Sequence, residues 1–277
     1  MKNESDIKTG VVRKGTVSRV IRKASREQLG ATSIPFIWSQ ITLPNIPIKN
    51  QGSSSSCGGQ AGSYWIELVD KAMAGNDIQF SAKSIYSPIA YPQGGTTVQA
   101  LQNQVANHGA NFESDVPSYY VTGGTDEYFM TLKNWRTPSL TYKALRDAGR
   151  VAINVPIDME SIAQAIRDYG GVILEIAGYN NGTWLSPIPN SPIKGQTPLW
   201  YHFICGTSAG YYSGQKVIVI ANSWGNTVGS GGFQYLTEDY INSGYVIDCF
   251  TFRPKSIGDA KTGWLWNIFQ WMLHKFS

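Results

Sequence analysis

From Cys57 onward, Ala61, Tyr64, Trp65, Leu68, Val69, Ala72 and Met73 follow an i, i+3, i+4, i+7 pattern, which predicts a helix with a buried face. Ser54, Ser55 and Ser56 precede it as N-cap candidates and Gly75 follows as a stop, so Cys57 falls on the first turn. Helical periodicity returns over residues 97–107 and 161–169. The second half of the chain changes period. Short apolar runs at 172–177, 202–206, 216–221 and 232–236 alternate with Gly, Ser and Pro turns and predict strands. Helices first and strands later imply an α+β chain with two segregated lobes.

Composition narrows this picture. The 277 residues are 42% hydrophobic, 12% aromatic and only 15% charged, which supports a large buried core and excludes a disordered or acidic-tail protein. No apolar stretch approaches the roughly 18 residues needed to span a bilayer. The net charge of +4 is unevenly spread: residues 1–30 hold eight Lys/Arg against three acids, a net of +5, leaving −1 for the remainder. The body therefore gives no reason to expect nucleic acid, and the arm reads as a solvated basic segment. The N-terminus lacks an apolar h-region, so a secretory signal is not expected. Cys57, Cys205 and Cys249 are too few for a disulfide framework, which suits a non-oxidising environment, cytoplasmic or inside a larger particle.

A thiol on a helix's first turn lies where backbone N–H groups and the helix dipole favour thiolate. Gln51, six residues earlier across a Gly/Ser turn, can bring its amide beside the sulfur as an oxyanion donor. Of the three histidines, His108 and His274 lie in a helix end and the tail, whereas His202 opens a strand pattern. Asn222 ends the next strand. On adjacent strands its side-chain carbonyl can accept the imidazole N–H and fix the tautomer.

These segments, Gln51-Gly-(x)4-Cys57 and Asn222-Ser-Trp-Gly225, in the order Cys, His, Asn, resemble the papain-like cysteine peptidases over about residues 34–255. The resemblance implies a two-lobed fold, with a helical lobe at about 51–150 carrying the nucleophile helix and an antiparallel β-barrel-like lobe at about 151–255, completed by the segment before the helix. A cleft separates the lobes. It implies Gln51, Cys57, His202 and Asn222 as oxyanion donor, nucleophile, acid/base and orienting group, and Trp224 as the cover over Asn222. Gly94 and Gly95 would bind substrate backbone. Thr96, Trp200 and Phe203 would line the main side-chain pocket, with Glu175 facing it so that a basic residue is accepted. The partner is a peptide or protein substrate, and no metal or organic cofactor is required.

The departures are also informative. Ser54 and Pro92 stand where the family usually has a bridged cysteine pair, Gly58 replaces the aromatic residue after the nucleophile, and Val228 replaces a second Trp. Cys205 and Cys249 are expected as free buried thiols. Outside the body, the arm over residues 1–30 is too short for the family's inhibitory N-terminal domain, so activity is expected to be unrestrained, or restrained by a partner or the tail. The tail over 256–277 carries an aromatic helical pattern at 264–276 that suggests contact with its own body, a partner or a membrane surface. The alternative to an endopeptidase is a papain-like structural or docking subunit of a larger assembly, such as a virus or phage particle, with little or no activity.

Overall fold

The computed structural model describes residues 10–12, 34–75, 77–118, 123–130, 148–179, 182–193 and 195–255. The expected tail contact at 264–276 lies outside them, as does most of the arm. The helix expected after the Ser-rich turn is α1, Cys57–Ala74. It stops where Gly75 takes a left-handed φ of 68° and returns its N–H to Lys71 O, a conformation that glycine adopts without a Cβ penalty. Helices α2 (Ala82–Tyr86) and α3 (Val98–His108) pack against it, and α4 (Asp126–Met130) packs on α2 through Phe129. Thr97 caps α3 by accepting the Ala100 N–H.

The sheet contains β1 (Arg150–Asn154), β2 (Val172–Gly178), β3 (Trp200–Tyr212), β4 (Gln215–Ala221), β5 (Phe233–Thr237) and β6 (Val246–Pro254). All neighbours are antiparallel, in the order β1-β6-β2-β3-β4-β5. Helix α5 (Met159–Tyr169) precedes β2, capped by Asp158, and α6 (Glu238–Ile241) follows β5. Strands β1 and β6 were not expected from the pattern, and β3 runs well past its expected end.

Alternation sends the two sheet faces to different cores. Ile173, Phe203, Cys205, Val217, Val219 and Phe250 face α1 and α3 in one cluster. Leu174, Ile204, Ile218, Ile220 and Cys249 pack with Ile162 and Ile166 of α5 in the other. The sheet thus lies between the two helix layers. Cys205 and Cys249 belong to opposite faces, and all three cysteines are free, as expected.

Two buried polar links fasten α1 to the rest. Trp65 Nε1 donates to Gly171 O at 3.0 Å and Thr251 Oγ1 at 3.1 Å. Lys49 Nζ meets Glu67 Oε1 at 2.6 Å, with both side chains almost fully enclosed. Breaking one member of such a pair would strand a buried charge. The middle of α1 is thereby fixed to the residue before β2, to β6 and to the segment that precedes the nucleophile turn.

Candidate functional site

Cys57 is fully buried at the first position of an 18-residue helix. Burial pushes its thiol up to about 11, while hydrogen bonding from the backbone of Phe203, Gly10, Gly58 and Cys57 itself pulls the other way. Contact with Phe203 puts the sulfur beside the residue that follows His202. Gln51, on the turn ahead of the helix, is held from both ends of its amide: Nε2 donates to Ser54 O at 2.8 Å, and Oε1 accepts from Ser223 Oγ at 2.6 Å. The Gln51 N–H also donates to Ser223 O at 2.8 Å. The turn is therefore tied directly to the segment after β4.

On the sheet side, His202 Nε2 lies 3.0 Å from Asn222 Oδ1. Asn222 is an acceptor through that atom, so Nε2 carries the proton and Nδ1 is left for exchange. Nδ1 is buried and lacks a hydrogen bond. Trp224 stacks on the imidazole, with centroids 4.7 Å apart and planes 26° apart, so it covers the ring as well as the His202–Asn222 bond. Burial drives the imidazole down to about 4, opposed by the bond from Asn222. In this closed arrangement burial favours a neutral thiol and a neutral imidazole at pH 7.

The cleft is closed by the chain's own arm. Val11 forms a parallel bridge with Thr96: the Thr96 N–H donates to Gly10 O at 2.6 Å and the Val12 N–H to Thr96 O at 2.8 Å. Gly94 and Gly95, both at positive φ, permit this approach for different reasons. A Cβ on Gly95 would stand 2.7 Å from Gly10 O; one on Gly94 would stand 2.9 Å from Ser55 Oγ. Restraint by an N-terminal segment was not among the sequence-based options, because the arm was judged by its length.

The remaining pocket residues separate. Phe203 and Glu175 are paired across β3 and β2 and share the face toward α1, with Thr96 Cγ2 nearby over Gly58. Trp200 projects from the opposite face, its ring over Gly178 and 5.3 Å from Trp184. Strand alternation thus removes Trp200 from the Phe203 pocket. Two residues not singled out from the sequence also belong to the site. Asp126 accepts the Ser55 N–H at 2.6 Å and the Ser55 hydroxyl at 3.1 Å. Gln234 accepts the Asn222 amide at 2.6 Å.

Residues 38–250 match the profile of the papain family cysteine proteases. The chain belongs to that family. It is 27% identical over 201 residues to Germination-specific cysteine protease 1 of Arabidopsis thaliana, covering 71% of this chain and 50% of that protein. It is 24% identical over 233 residues to Cysteine proteinase COT44 of Brassica napus, covering 82% and 66%. The chain therefore spans 50% of the length of the first curated relative and 66% of the second. Among solved structures, Xylellain, a cysteine protease from Xylella fastidiosa, matches with a TM-score of 0.68 at 16% identity, over 90% of this chain and 96% of that one. The ragweed Amb a 11 cysteine protease in its proform matches at 0.58 and 19%, over 85% and 67%. These two share the fold.

Against the papain-family pattern, the altered positions have local explanations. A Cβ at Gly58 would lie 2.8 Å from Thr96 Cγ2 and 3.3 Å from Phe203, so the space of an aromatic side chain is already filled. Ser54 turns inward, donating to Gln51 O at 2.6 Å with Ser56 Oγ 2.7 Å away. Val228 packs in the cluster that contains Trp184 and Trp224. The segment 51–56 is instead fastened to residues 123–126, through Ser53 N–H to Gly124 O at 3.1 Å and the Asp126 contacts. The sequence signal for Asp126 was only an acid after two glycines. For Gln234 it was a polar residue at the inward register of an apolar strand.

Proposed function

We propose that this chain is a cysteine-type endopeptidase acting through a Cys57 acyl-enzyme, and that the described closed state is latent. The observation that carries the reading is His202, held at Nε2 by Asn222 Oδ1, stacked under Trp224 and with Nδ1 left without a hydrogen bond, next in sequence to Phe203, whose backbone contacts the Cys57 thiol. A scaffold has no need of this arrangement.

In this mechanism the arm leaves, water and substrate enter, and the Cys57 proton passes to His202 Nδ1. The resulting thiolate and imidazolium stabilise one another. The sulfur attacks the peptide carbonyl carbon, and the oxyanion takes N–H donors from the Gln51 amide and the Cys57 backbone. Collapse breaks the C–N bond as His202 returns its proton to the leaving amine. Neutral His202 then takes a proton from water, whose oxygen attacks the thioester; the acid is released and the Cys57 thiol restored. Thr96 supplies the backbone edge for substrate, the same N–H and C=O that Gly10 and Val12 engage in the closed state. Arm and substrate are therefore competitors.

The test is labelling with an epoxide thiol inhibitor, read by intact mass in wild type and Cys57→Ala. One adduct is expected in wild type and none in the variant; absence of a Cys57-dependent adduct rejects the active-enzyme reading. For specificity, Glu175 shares the Phe203 face and is proposed to admit a basic side chain at the second substrate position. In a peptide library, Glu175→Ala is expected to remove Lys and Arg from that position. An unchanged preference rejects the assignment.

A further inference from the structure

A carboxamide has nearly the same shape either way round but opposite chemistry at its two ends. If Asn222 were turned over, its NH2 would face His202 Nε2, the ring would have to present a bare nitrogen there, and the exchangeable proton would move to Nδ1. What fixes the Asn222 amide is thus a condition of the site. One restraint is local: Oδ1 also accepts the N–H of Ser223 at 2.7 Å. The other comes from Gln234 on β5, whose Oε1 accepts Asn222 Nδ2 at 2.6 Å.

Gln234 has its own orientation imposed on it. Its Nε2 donates to two backbone carbonyls, Trp184 O at 2.6 Å and Ser186 O at 3.0 Å, neither of which can donate in return. Turning Gln234 over would set its oxygen against both. The side chain is fully buried and shares a sheet face with Leu236, a place where a carboxamide is costly unless its donors and acceptor are used. Here both Nε2 hydrogens and Oε1 have partners. The loop it grips carries Trp184, whose ring packs 6.0 Å from Trp224.

We infer that Gln234 is a positioning residue for the reaction: two carbonyls set Gln234, Gln234 sets Asn222, and Asn222 sets the tautomer of His202. The inference rests on the peptidase reading for its consequence, but not for its geometry.

The test uses the full chain with Gln234→Met, which keeps length and burial while removing the acceptor, alone and with Asn222→Ala. The His202 tautomer is read from the ring 15N shifts. Wild type is expected as the Nε2–H form; Gln234→Met is expected to gain the Nδ1–H form. Peptide hydrolysis is expected to fall about tenfold in kcat with KM unchanged, a partial loss because the Ser223 N–H still restrains the amide. In the Asn222→Ala background the same change is expected to cost nothing further in kcat. An unchanged tautomer in Gln234→Met overturns the inference. So does an equal loss of kcat with and without Asn222, which is the signature of general packing damage. If the tautomer shifts but no variant, wild type included, hydrolyses peptide, the positioning stands and the peptidase reading fails.

Discussion

The two halves of the site are fastened by different means. The acid/base half is a closed network inside the sheet lobe: His202, Asn222 and Gln234 are linked by side-chain amides, and Trp224 and Trp184 seal them. The nucleophile half is a turn of small residues, held from outside by Asp126 and from across the cleft by Ser223. A buried amide network allows few alternative arrangements, whereas a Gly/Ser turn keeps its shape only while its external partners are in place. The family's two-lobed plan thus joins a pre-set base to a nucleophile turn that must be fastened from outside.

Titration separates the halves most strongly. Between the ordinary imidazole value of 6.5 and about 4, the unfolded chain holds a proton that buried His202 refuses. The stability contribution of neutral His202 is therefore fully present above pH 6.5 and is lost as pH falls toward 4. Cys57 mirrors it. Its thiol rises from 9.0 to about 11, so that contribution is present below pH 9 and is lost as pH climbs through 11. Each shift corresponds to about 3 kcal/mol. Denaturant titrations across pH should show His202→Ala flattening the acid limb alone and Cys57→Ala the alkaline limb alone. If either variant flattens both limbs, the halves are not energetically separate.

Next in size is the external fastening of the nucleophile turn. Asp126→Ala leaves the buried Ser55 N–H without its acceptor, a loss of about 1–3 kcal/mol. It also frees the turn that carries Cys57, and a displacement near 1 Å at the reacting atom can lower kcat by about 100-fold. Asp126→Asn retains an acceptor and should recover much of both. The comparison weakens if Asp126→Ala melts at the wild-type temperature with wild-type kcat.

How far this contrast could be read from sequence follows the same line. Helix α1 was legible from its apolar spacing and its closing glycine, although Ser56 holds the N-cap position without a side-chain cap bond. Strand β2 was legible as an apolar run, interrupted by Glu175 alone and buried along its whole length. Strand β6 was not, because buried Thr251 interrupts its apolar face to bond Gly171 O. Gln51, Cys57, His202 and Asn222 stood out by residue type and order. Asp126 was silent because its partner lies 71 positions away, and only the folded chain brings the two together. The family resemblance assigns Trp200 and Phe203 to one pocket, whereas the two-residue alternation of β3 sends them to different cores.

The smallest expected effect concerns the arm, whose described residues Gly10, Val11 and Val12 bond Thr96 beside the nucleophile turn. Gly10 passes so close to the turn that a Cβ on it would fall 1.7 Å from Ser55 O, a distance no relaxation of two backbones accommodates. Gly10→Ala should therefore unseat the arm, free the Thr96 edge and rehydrate Cys57. A substitution at this site is expected to raise activity rather than lower it. In the full chain we expect a gain of about tenfold in the rate of epoxide labelling at pH 7, corresponding to loss of about 1.4 kcal/mol of closing free energy. If Gly10→Ala labels no faster than wild type, the closed cleft is not the latent state, and whatever restrains the enzyme acts elsewhere.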